Sequence, residues 1–130
     1  MNVRYNYNRQ VVPPAPFVHV TISRPNDSTV SAADLPAQLD TGADFSVIPS
    51  SLVERLQLVQ LDQAPVAGFG GHVTLAPTYL IGLSVRPFDA FVVRVIADRD
   101  EPFVLLGRDV LNRFEIVLEG PKLVVEIRSI

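Results

Sequence analysis

The sequence predicts a mainly β fold with one or two short helices, curling into a closed or nearly closed barrel. Three observations predict it. The apolar residues come in short runs rich in Val, Ile, Leu and Phe, the residue types that suit a pleated, half-buried strand. Those runs are punctuated by Pro, Gly and Asp, which favour turns over continued secondary structure. Only two segments carry helical start signals.

Taken in order, the polar start Met1 to Arg9, followed by Pro13-Pro14-Ala15-Pro16, predicts a flexible arm over residues 1–16. The folded domain is expected over 17–130. Strands are expected at 17–23, 37–39, 45–48, 72–78, 79–85, 88–95, 103–106, 114–118 and 123–127, with Glu119-Gly120-Pro121-Lys122 turning between the last two. A first helix is expected over 50–56, capped by Ser51 with Glu54 three residues on, the pattern of a capping box. Residues 109–113 are expected to form one or two turns, with Asp109 at the positive end of the helix dipole.

At 130 residues the chain suits a single domain that needs no covalent staples. It contains no cysteine, which excludes disulfides and thiolate metal sites. The formal charge of −3 and the lack of a dense Lys/Arg cluster argue against a nucleic-acid partner. The start lacks the apolar core of a signal peptide, and no stretch approaches the roughly 20 apolar residues that span a bilayer. A cytoplasmic protein without a membrane partner is the expectation.

The chemistry concentrates in Ala37-Gln38-Leu39-Asp40-Thr41-Gly42-Ala43-Asp44-Phe45-Ser46-Val47-Ile48. A carboxylate between two apolar strands is costly unless it is hydrogen-bonded or functional. Gly42 permits close backbone approach, and the Thr41 hydroxyl is placed to lock a neighbouring loop. An ordinary β-turn would use Asp and Gly as well. A second feature is Gly68-Phe69-Gly70-Gly71, a glycine-rich tip between extended segments, suited to a lid over a groove or simply to a flexible hairpin. No Lys-Ser/Thr pair follows, so this is not a phosphate loop. Third, the apolar run 103–106 ends in Gly107-Arg108-Asp109. An Arg there, with little access to solvent, needs a partner, and Asp44 is the candidate; a solvated strand-end charge is the simpler alternative.

Other chemistries are weaker. A metal site from Asp98, Asp100 and Glu101 with His72 or His19 lacks a convergent ligand spacing, and the acidic run reads more simply as a solvated turn. There is no Gly-x-Ser-x-Gly nucleophile elbow. No metal or cofactor is expected.

Together, Asp40-Thr41-Gly42-Ala43-Asp44, Gly68-Phe69-Gly70-Gly71 and Leu105-Leu106-Gly107-Arg108-Asp109 resemble the retropepsins, the single-domain aspartic proteases of retroviruses and their cellular relatives. The resemblance covers roughly residues 17–127 and implies a retropepsin-like acid-protease barrel, one lobe per chain. It implies that Asp40 is catalytic, that Thr41 bonds across a dimer, and that Gly42 supports the site. Ala43, Asp44 and the tip Gly68, Phe69, Gly70 and Gly71 would contact a polypeptide substrate, with Asp44 paired to Arg108. Asp109 in place of an Asn, a short helix after Pro49 and a C-terminal strand after Pro121 depart from the viral pattern and look more like cellular and bacterial members. Aspartic proteolysis needs two carboxylates sharing one proton, and the chain holds a single Asp-Thr-Gly. A homodimer with Asp40 facing its symmetry mate is therefore expected. The alternative is an inactive dimerisation or peptide-binding module with the same fold.

Overall fold

The computed structural model describes residues 1–67 and 69–129, with the backbone alone at Phe69. Ten strands and two short helices follow one another. These are β1 (Asn2–Asn6), β2 (Phe17–Arg24), β3 (Asp27–Leu39), β4 (Val47–Pro49), α1 (Ser50–Arg55), β5 (Gln60–Ala67), β6 (Val73–Ser84), β7 (Phe91–Asp98), β8 (Val104–Leu106), α2 (Arg108–Leu111), β9 (Glu115–Glu119) and β10 (Val124–Arg128). Neither helix is long or apolar enough to cross a membrane.

Seven strands form one sheet in the order β2-β3-β8-β4-β7-β6-β5. A further β2–β6 pairing, Thr21 to Ser84 through Ser23 to Gly82, closes six of them into a ring. Closure removes sheet edges and lets inward residues fill one core. Alternate positions of β2 do so, with Val18, Val20 and Ile22 buried against Ile81, Leu83, Val95 and Leu106. The main β fold is thus as expected, and β6 joins two expected strands into one ladder.

Three elements differ from expectation. Residues 2–6, within the expected arm, form β1 and pair with β10 from Asn2–Arg128 to Asn6–Val124. The reason is period-two patterning, since Val3 and Tyr5 pack on the core while Asn2 and Asn6 face out. The first ten residues of β3 and all of β5 were not expected as strands. Both are largely exposed and polar, so they carry no apolar run, and the neighbours β2 and β6 impose their extension. The expected capping box at Ser51 is absent. The helix begins at Ser50 after Pro49, and no side chain caps it, because β4 runs straight into its first turn.

β9 and β10 form a hairpin through a 3-10 turn at Gly120–Lys122, with Leu123 at φ 53°. With β1 they make a separate sheet in the order β1-β10-β9. Its outer face carries Arg4–Glu119, Lys122–Glu119, Arg128–Glu115 and Arg128–Glu126 ion pairs.

Candidate active site

The connection of β3, β8 and β4 creates the site. β3 runs parallel to β8, from Ala37–Val104 to Leu39–Leu106, and β4 pairs with the other side of β8 at Val47–Leu105. The chain must therefore cross from one flank of β8 to the other. Residues 40–46 make that crossing as an arch over the end of β8, where Gly107 and Arg108 leave. Asp40 stands at the foot of the arch, half-buried, because its N–H bonds the Leu106 carbonyl at 2.9 Å and extends the ladder by one residue.

Within the arch, Gly42 N donates to Asp40 Oδ1 at 3.0 Å and Ala43 N to the Asp40 carbonyl at 3.2 Å. One carboxylate oxygen is thus oriented by backbone, which leaves Oδ2 available to a ligand or a second carboxylate. Beneath the arch, Arg108 N donates to the Ala43 carbonyl at 2.9 Å, and Arg108 Nη1 to the Thr41 carbonyl at 2.7 Å. Arg108 Nη2 also pairs with Asp44 Oδ1. The expected Arg108–Asp44 pair is present in the structure, but the expected shielding from solvent is not. The two side chains are 45% and 75% exposed, because the arch lies at the mouth of the ring. Exposed pairs of this kind are worth about 0–1 kcal/mol. A double-mutant cycle of Arg108→Ala and Asp44→Ala in the monomeric state is expected to give a coupling energy in that range. A coupling above about 3 kcal/mol would place the pair in a desolvated setting instead.

The buried anchor of the arch is a different pair, which motif spacing did not reveal. Ser46 is completely buried, and its Oγ donates to Asp109 Oδ1 at 2.7 Å while accepting from Gly107 N at 3.0 Å. Ser46 N donates to Asp109 Oδ2 at 3.0 Å, and Val110 N to Oδ1 at 2.9 Å. Asp109 thus ties the first turn of α2 to the far foot of the arch. The available signal was a lone Ser inside an apolar strand, a residue that must find partners when buried.

The acidic turn after β7 is less solvated than expected. Asp98 and Asp100 are exposed, with Asp100 N bonded to Asp98 Oδ1 at 2.9 Å. Glu101 is half-buried, and its carboxyl is pushed above the ordinary carboxylate range by burial first, then by the charges of Asp98 and Asp40. The acidic turn therefore folds back within electrostatic reach of Asp40. No group of three or more His, Asp or Glu side chains gathers to hold a metal among the described residues. His19 instead packs against Tyr5, ring centroids 5.6 Å apart.

The β5–β6 hairpin pairs from Gln60–Tyr79 to Ala67–Val73, with a 3-10 turn at Phe69–Gly71 at its tip. Gly70 and Gly71 have φ of 84° and 77°, a left-handed conformation that side chains resist. Gly68 and the Phe69 side chain, both expected to contact substrate, lie outside the described residues. A cleft of about 610 Å³ lies between the hairpin and β4 and β7, lined by Val47, Val66, Thr74, Ala76, Ile96 and Asp98 among others. Its walls are mostly apolar and its rim is acidic.

A closed ring with Asp-Thr-Gly arched over a Gly-Arg-Asp turn defines the retropepsin-like aspartic proteases. The chain belongs to that group, for residues 27–113 match the family described as "gag-polyprotein putative aspartyl protease". Among solved structures it is similar to the protease of EIAV complexed with an inhibitor, at 25% identity and a TM-score of 0.60, covering 83% of this chain and 92% of that one. It is also similar to a retropepsin-like aspartic protease from Rickettsia conorii, at 14% identity and a TM-score of 0.65, covering 98% of this chain and 90% of that one; this likeness speaks to fold alone. No curated protein matches the chain.

Proposed function

We propose that the protein is an aspartic endopeptidase whose catalytic centre forms from two Asp40 carboxylates across a homodimer. The observation that carries this reading is the arch itself, which presents Asp40 with one oxygen fixed by Gly42 N and the rest of the carboxyl uncommitted. Two such carboxyls on a twofold axis cannot both ionise cheaply, so one proton is shared between them. The ionised member takes a proton from water as the water attacks the scissile carbonyl carbon. The protonated member gives its proton to the carbonyl oxygen, forming a gem-diol that then collapses with release of the amine. Family membership and the EIAV relative support the chemistry; Thr41 is assigned to holding the two arches together, and Ala43, Asp44 and the tip residues 68–71 to gripping the peptide backbone.

The alternative, an inactive binding module of the same fold, is separated by one experiment. Purified protein is expected to cleave a denatured protein mixture at mildly acidic pH, to be blocked by pepstatin, and to lose specific activity on dilution as the dimer dissociates. Peptide binding without cleavage across that range would favour the module.

A further inference from the structure

The sheet β1-β10-β9 leaves one edge of β9 unpaired among the described residues, and the direction of its backbone groups follows from the ladder next to it. Tyr7 N donates to the Leu123 carbonyl at 2.8 Å and Ser129 N to the Met1 carbonyl at 3.1 Å. Antiparallel ladders alternate hydrogen-bonded with non-hydrogen-bonded pairs. The odd-numbered residues of β10 therefore bond toward β1, and Val124, Glu126 and Arg128 bond toward β9. Their partners there are Glu119, Val117 and Glu115. Ile116 and Leu118 are left with N–H and C=O directed at the open edge.

That edge lacks the usual guards against pairing. Residues 115–119 contain no Pro or Lys, and the β9–β10 register runs without a bulge. Leu118 is 53% exposed beside the fully buried Val125. By contrast, β5 carries Pro65 and a register shift, and β1 alternates Asn2, Arg4 and Asn6 along its length.

We propose that the free edge of β9 is the seam on which a second copy of this chain docks, antiparallel about a twofold axis through Val117. The product is a six-stranded sheet in which each β1 stays with its own β10 and the N-terminal strands are not exchanged. The inference rests on the half-site reading of Asp40, which requires a second copy. Ile116 then faces Leu118 of the partner subunit in a hydrogen-bonded pair, twice by symmetry, using all the groups that the parity leaves open. Val117 faces the partner's Val117 in a non-hydrogen-bonded pair, where Cα atoms approach to about 4.5 Å. Glu115 falls opposite the partner's Glu119, but each already carries cations. Arg128 Nη1 is 3.2 Å from Glu115, and Arg4 Nη1 and Lys122 Nζ are 3.4 and 3.6 Å from Glu119. Moving the axis to Ile116 or Leu118 would set Leu118 against Phe114 or Ile116 against Gly120 and shorten the ladder. Only α2 and residues 112–114 separate β9 from the turn beneath the Asp40 arch, so the seam is linked to the site through one short helix.

Because the chain has no cysteine, single substitutions read the seam directly. Val117→Cys is expected to give a disulfide-linked dimer under mild oxidation, whereas Val92→Cys, 50% exposed on β7, stays uncrosslinked. Leu118→Pro removes an edge N–H and is expected to raise the dimer dissociation constant at least tenfold by sedimentation, with an unchanged circular dichroism spectrum. A dimeric, active parent whose Val117→Cys variant crosslinks no better than Val92→Cys overturns the seam and leaves the protease reading intact. Efficient crosslinking through Cys at 117 without peptidase activity supports the seam and counts against that reading. A parent that is monomeric at every concentration and does not crosslink through position 117 overturns both.

Discussion

Asp40→Asn is expected to abolish peptide cleavage while leaving fold and dimer in place. The amide cannot accept a proton from water, and both copies of the dyad change at once, so a loss of at least about 10⁴-fold is expected. The fold should survive because the amide oxygen can still accept the Gly42 N bond that Asp40 Oδ1 accepts at 3.0 Å. The substitution also tests the two-chain origin of the site. If one Asn half silences a dimer, random assortment of equal amounts of parent and variant leaves about a quarter of dimers active. Activity that instead falls to one half would mean that each chain carries a complete site. Thermal melting and sedimentation of the variant separate lost chemistry from lost structure.

Gly107→Ala should damage stability and activity together, for a steric reason. A Cβ built on Gly107 meets Phe45 C and O at 2.8 Å and the Ala43 carbonyl oxygen at 2.9 Å, all of them backbone atoms that no rotamer change can move. Overpacking of this kind costs about 1–3 kcal/mol. The arch must lift to relieve it, which stretches Arg108 N to Ala43 O and Gly107 N to Ser46 Oγ, the bonds that hold Asp40 in register. A displacement near 1 Å at a reacting group can cost about 10²-fold in rate. The expected result is a melting temperature several degrees lower and kcat down by one to two orders of magnitude. Gly120→Ala, where nothing lies within 4 Å of the added methyl, is the control. A Gly107→Ala protein that melts and turns over like its parent would mean that the arch does not rest on Gly107.

The candidate chemistry was legible in the sequence because it depends on local residue order. Asp-Thr-Gly closing an apolar strand, and Gly-Arg-Asp closing another, are each one turn long, and the charges of Asp44 and Arg108 demand each other. The apolar strands β2, β6, β7 and β8 were legible for the same reason, since burial leaves a mark on every residue of a short run. Elements whose extension depends on a partner left no such mark. β5 and the start of β3 are polar ribbons held by β6 and β2, and β1 is a strand only because β10 lies beside it.

What the sequence by itself determined was the β class, the identity of the reactive carboxylate and the pairing of Asp44 with Arg108. Only the tertiary structure decided how exposed that pair is, that Ser46 and Asp109 anchor the arch from below, and that β9 keeps a free edge. The physical reason is separation along the chain. A hydrogen bond from Ser46 to Asp109, or an edge left open beside β10, is a property of strand order and register, and these are settled by how distant segments share one core.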